Sequence, residues 1–155
     1  MIGLLSENAQ IRTSNNINTC IECLDPGDNI LSAIITDTTI PTIQFAETTV
    51  IGIIKMLCDH FNIVDNELIA NDYQEVLVNN EWYPISQLLS GSRLNPKGNM
   101  KAQKIDDKGN NEIIDDDIIE LDRFDNQLDN IMYTLILFPY NTFFADGYIV
   151  KGEEK

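Results

Sequence analysis

The chain has little positive charge. Ten Lys and Arg stand against 25 Asp and Glu in 155 residues, a formal net charge of −15. A surface of that sign repels phosphate backbones, which argues against nucleic acid as a direct partner. It suits basic protein surfaces or divalent cations instead. Long hydrophobic runs are also missing. The longest are short Ile-rich stretches such as Val50 to Ile54, far below the length of a membrane span, so no membrane partner is expected. The N-terminus reads M-I-G-L-L-S-E-N. It lacks basic residues and a proper apolar core, so no signal peptide is read and a cytoplasmic or virion-associated protein is expected. Three Cys and one His are few. Three free thiols fit a reducing compartment, and a single imidazole limits acid–base chemistry. No segment carries a long helical period.

What is present is strand signal. The hydrophobic fraction of 43% gives one domain over residues 1–155 a sizeable core. β-branched runs of strand length recur at 29–36, 48–57, 67–70, 75–78, 113–121, 131–137 and 143–150. Turn residues separate them, at Asp25-Pro26-Gly27-Asp28, Asn79-Asn80, Asn95-Pro96-Lys97-Gly98, Lys108-Gly109-Asn110-Asn111 and Asp146-Gly147. The polar stretch 95–117 reads as a surface loop or insertion. Its Asp115-Asp116-Asp117 run lacks the alternate-acid-then-Gly spacing of a calcium loop and reads as a solvated strand end. The fold class is all-β, with at most two single helical turns.

Those two turns belong to a repeat. N-N-I-N-T-C-I-E-C-L-D-P-G-D-N-I (15–30) and N-N-E-W-Y-P-I-S-Q-L-L-S-G-S-R-L (79–94) place Ile21, Leu24, Gly27 and Ile30 opposite Ile85, Leu88, Gly91 and Leu94 at a constant offset. Each unit reads as a hairpin turn, a short strand, one helical turn burying Ile and Leu, and a Gly that reverses the chain. A unit used twice implies two related halves about a pseudo-two-fold axis.

The second unit, together with the closing Y-N-T-F-F-A-D-G-Y-I-V-K-G (140–152), resembles the Hint domain, the autoprocessing module of the hedgehog/intein superfamily. The resemblance spans about 4–152 and implies an all-β horseshoe with pseudo-two-fold symmetry. Active members attack the preceding carbonyl with an N-terminal Cys or Ser, polarise that peptide bond with a Thr-x-x-His motif, and cyclise an Asn after a terminal His. Placed on this chain, the resemblance puts Leu4 at the nucleophile, with Ser6 the nearest hydroxyl. Asn71 and Gln74 stand for the Thr and His, Tyr140 for the His before N-T-F-F, and Lys151 and Gly152 for the terminal His-Asn. Gln cannot shuttle a proton at neutral pH, and Gly has no amide to cyclise. Only three residues precede Leu4 and three follow Gly152, so no cargo is expected. The resemblance therefore implies a degenerate, non-catalytic scaffold: no enzyme and no cofactor, but a structural or protein-interaction module, with oligomers compatible and a viral particle or other large assembly as a setting.

Two other readings stay open. One is residual self-cleavage through Ser6, which lacks an evident base. The other is a zinc-stabilised binding domain using the C-x-x-C of Cys20 and Cys23 with Cys58 and His60. In the repeat, Cys20 and Cys23 match Pro84 and Gln87, which indicates no fixed chemical role. His60 alone reads as a turn or surface residue, and Trp82 and Tyr83 as aromatics packed on their hairpin.

Overall fold

The computed structural model describes residues 2–36, 42–88, 100–106 and 111–154. Among them are fifteen strands: β1 (Leu5–Ser6), β2 (Gln10–Arg12), β3 (Asn18–Cys20), β4 (Asn29–Ile35), β5 (Ile43–Leu57), β6 (Phe61–Val64), β7 (Leu68–Ala70), β8 (Glu75–Val78), β9 (Glu81–Pro84), β10 (Lys101–Ile105), β11 (Ile113–Asp117), β12 (Leu121–Phe124), β13 (Ile131–Phe138), β14 (Thr142–Ala145) and β15 (Tyr148–Lys151). They form two antiparallel sheets. The first runs β12-β6-β7-β1-β13-β5-β4, and the second β11-β10-β8-β15-β14-β2-β3 with β9 on β8. No helix among the described residues is long and apolar enough to cross a membrane.

β5 is the spine of the first sheet. Its first half pairs with β4 and its second half with β13, which its length of roughly 50 Å allows at about 3.3 Å per residue. An extra residue, Ile51, breaks the β13 register between Ile136 and Leu137. A bulge there adds bend and twist to a strand that must curl.

The two helical turns are 3-10 turns at Ile21–Cys23 and Ile85–Gln87. Their geometry repeats closely. The residues before them, Cys20 and Pro84, have φ/ψ of −64/141° and −67/147°. Ile21 N donates to Ala9 O and Ile85 N to Gln74 O, both at 2.9 Å. Ile21, Leu24, Ile85 and Leu88 are all buried in one core cluster. The hairpins β2–β3 and β8–β9 that lead into the turns match as well. The expected duplication is therefore present in the fold. Its Gly91 and Leu94 partners lie outside the described residues.

β14 and β15 hold the centre. Phe143, Tyr148 and Val150 join one core cluster, and Phe144 and Ile149 join a second on the opposite face. A strand buried on both faces reads as a continuous apolar run rather than an alternating one, which is why Y-N-T-F-F-A-D-G-Y-I-V stands out in the sequence. The turn between the strands has Asp146 at φ 50° and Gly147 at φ 88°, the two positive values a tight type I′ loop demands.

The surface loop expected over 95–117 needs correcting in its described part. β10 pairs with β8, β11 and β15, and Ala102–Ile105 are buried. A polar strand can be buried because its charged tip finds partners. Lys104 Nζ lies 3.0 Å from Glu67 Oε1 and 4.6 Å above the Tyr148 ring. β11 is exposed and carries the three Asp as expected. Positions 95–98 and 107–110 lie outside the described residues. The run read as one strand over 113–121 is two strands, β11 and β12, parted by the buried Ile118.

Because the two 3-10 turns are equivalent anchors, Ile21→Ala and Ile85→Ala are each expected to cost about 2–5 kcal/mol, read as matched falls in urea midpoint. A second expectation concerns the closing turn. Burial pushes the Asp146 carboxyl up to about 6, against a pull downward from the Gln10 amide, with Glu67 adding to the rise. Its folded pKa then exceeds the unfolded value near about 3.9. The folded state binds more protons between these values, so stability falls as pH rises through that window, and the cost persists above it. Asp146→Asn keeps an acceptor for Gln10 N and suits the turn. It should raise Tm at pH 8, and the gain should vanish by pH 4.

Candidate functional site

The N-terminal segment, the loop 71–74 and the C-terminal end of β15 meet at one junction. Asn71 is fully enclosed there and holds the N-terminal backbone at two points. Its Nδ2 donates to Ile2 O at 2.8 Å, and its Oδ1 accepts from Leu4 N at 2.8 Å. Asn71 N also donates to Leu4 O at 3.0 Å. Gly3, between the clamped residues, has no room for a side chain, since a Cβ would stand 2.7 Å from Gln74 Cα.

Gln74 is the hub. It is completely buried, and its Nε2 donates to Lys151 O at 2.8 Å and to Glu75 O at 3.1 Å. Among the described residues its Oε1 has no hydrogen-bond partner. Gly3, Tyr73, Gln74, Lys151, Gly152 and Glu153 line a common recess of about 80 Å³. Gly152 is enclosed too. Its N donates to Asn141 O at 2.9 Å, Asn141 Nδ2 donates to its O at 3.0 Å, and a Cβ would stand 2.6 Å from Leu135 O and 2.8 Å from Asn141 Oδ1.

Two ends of a chain drawn together beside a buried loop, on two curled sheets with a repeated hairpin and turn, is a specific arrangement. The chain superposes on the Ssp DnaB mini-intein variant M86 with a TM-score of 0.68 at 15% identity, covering 98% of this chain and 95% of that one. It superposes on a bacterial intein-like domain from Clostridium thermocellum at 0.71 and 14%, covering 98% and 99%, and on the gp41-1 intein at 0.65 and 16%, covering 97% and 98%. The fold is the Hint fold of the inteins. No protein-family model and no curated protein matches the sequence.

In this Hint fold the positions singled out from the sequence fall as follows. Leu4, Asn71, Gln74, Lys151 and Gly152 are brought to the junction. Lys151 turns its side chain away from it: Nζ lies 4.8 Å above the Trp82 ring and 3.8 Å from Glu75 Oε2. Ser6 is in β1, opposite Met132, where its Oγ accepts from Asn8 N at 3.4 Å. Tyr140 contributes its backbone to Thr48, which donates to Tyr140 O at 2.7 Å; the next residue, Asn141, is the one that reaches the junction. Sequence reading passed over Asn141 because its role is a backbone clamp across the hairpin rather than a reactive group. The same holds for the two-point grip of Asn71.

His60 differs from the turn or surface residue expected. Its side chain is only 13% exposed and joins β6 to the 71–74 loop. Nε2 accepts from Asp72 N at 3.1 Å, and Nδ1 lies 3.0 Å from Asp59 Oδ1. The Nδ1 bond holds the Asp59 carboxyl below the usual carboxylate range. Asp72 in turn accepts from Asn62 Nδ2 at 2.8 Å and from the Arg123 guanidinium. The four-residue zinc site needs correcting: Cys20 and Cys23 cluster with Glu22, and Cys58 and His60 cluster separately with Asp59. In the first pair, Cys20 ends β3 of the second sheet and Cys23 ends the 3-10 turn that follows it. The other pair lies in the β5–β6 turn of the first.

Asn71→Ala removes both side-chain bonds of the N-terminal clamp and leaves the buried Leu4 N–H without a partner. That should cost roughly 1–3 kcal/mol, with Leu4 amide exchange accelerating more than that of β13.

Proposed function

We propose that this chain is a Hint fold kept as a scaffold, without autoprocessing. It works through its surface as a structural or protein-interaction module in a larger assembly, of which a viral particle is one setting. The observation that carries this reading is the chemistry at the junction. On the positions that the resemblance implies, an alkyl side chain, Leu4, takes the place of the nucleophile and a side-chain amide, Gln74, that of the proton donor; both lie at this junction. At Gly152 the backbone leaves no space for the amide that would cyclise. Self-cleavage through Ser6 is the weaker reading, since among the described residues its Oγ has a bond from Asn8 N and no base beside it.

The surface offers what a partner would use. An open groove of about 1220 Å³ passes Met56, Leu57, Tyr73 and Leu128, with Asp59 and Arg123 among its polar walls. Leu57 and Leu128 are 67% and 84% exposed and share this groove, and contiguous exposed apolar surface is what a protein partner covers. The net charge of −15 favours a partner with basic residues around an apolar ridge.

The test is the intact mass of the chain carrying peptide extensions at both ends, incubated with and without thiol. A single uncleaved species is expected. A species lacking either extension would overturn the reading, and its mass would locate the broken bond.

A further inference from the structure

Two trios of metal-ligating side chains lie away from the terminal junction. Cys20, Glu22 and Cys23 bring their donor atoms within 4.8 Å of one another, and so do Cys58, Asp59 and His60. The second trio is already committed. Because Nε2 of His60 accepts the Asp72 N–H, the neutral ring carries its proton on Nδ1, the nitrogen that faces Cys58 and Asp59. An ion there would meet an N–H rather than a lone pair.

We propose that Cys20, Glu22 and Cys23 form a surface site for a single thiophilic divalent cation of the zinc type, without Cys58 or His60. Two sulfurs and a carboxylate oxygen are donors such an ion accepts in tetrahedral geometry, with water as the fourth ligand. The scaffold is firm. Cys20 ends β3, paired to Gln10 of β2, and Ile21 between the ligands is buried in the core. Both cysteines are free thiols, and Cys23 is exposed.

The internal repeat separates this role from a packing role. The equivalent turn at Ile85–Gln87 has the same backbone and the same buried anchors with Pro84 and Gln87 in place of the cysteines. The turn therefore does not need sulfur. On binding, both S–H bonds are lost, two S–metal bonds form, and two protons leave to solvent. Gln10 Nε2 points at Cys20 Sγ from 3.2 Å, a donor placed to support a ligated thiolate.

The full chain, held reduced with a phosphine, is titrated with Co²⁺ and then with Zn²⁺. One Co²⁺ per chain is expected, with a sulfur-to-cobalt charge-transfer band that Zn²⁺ bleaches and about two protons released per zinc. Cys23→Ser, at an exposed position, should fold as the parent does by circular dichroism yet weaken binding roughly tenfold or more. Glu22→Gln should weaken it with both thiols intact, and Cys58→Ser should leave it unchanged. No thiolate band, undiminished Co²⁺ affinity in Cys23→Ser or in Glu22→Gln, or loss of binding in Cys58→Ser would each overturn the proposal.

Discussion

The rest of the molecule depends on one hairpin buried on both faces. Phe143 and Phe144 are neighbours in sequence and point to opposite sides of β14, yet neither has any exposed surface. The same is true along β15, where Ile149 faces one cluster while Tyr148 and Val150 face the other. Burying both faces of a strand removes every option for register slip, because a shift of one residue would exchange two sets of side chains fitted to different surroundings. β2, β8 and β10 each pair directly with this hairpin, so its placement fixes theirs.

The hairpin also sets the junction of the chain ends. β15 lies beside β8, Val150 opposite Val76, which brings Lys151 O to the buried Gln74 amide. The loop before β8 carries Asn71 to the N-terminal backbone. Three carboxamides, Asn71, Gln74 and Asn141, thus bind the backbone of both ends. Amides suit this work because each offers donors and an acceptor at once without a charge to desolvate. The bonds they form hold backbone, and among the described residues two amide oxygens, on Gln74 and Asn141, have no partner.

Much of this was legible from residue order. The Asn-Asn and Asp-Gly turns, the two helical turns burying Ile and Leu, and the doubly buried terminal run each rest on local rules: positive φ, short-range spacing, continuous apolar residues. The misreadings share a cause. β10 looks like loop because Lys101, Gln103 and Lys104 are polar, and the arrival of Glu67, from a turn distant in sequence, together with Asp116 of β11, is what makes a buried lysine affordable. His60 looks like a turn residue because its partner, the Asp72 backbone, lies twelve positions away.

The sequence by itself determined the all-β class, the internal duplication, the closing hairpin and the residue types present at each end. These follow from backbone preference and apolar periodicity, which act over a few residues. The tertiary structure alone decided which amides grip which backbone, that Gly3 and Gly152 are closed to side chains, that His60 is half-buried against the 71–74 loop, and that the four candidate zinc ligands form two clusters rather than one. Those facts depend on contacts between residues tens of positions apart, and local preference carries no information about where a distant strand will arrive.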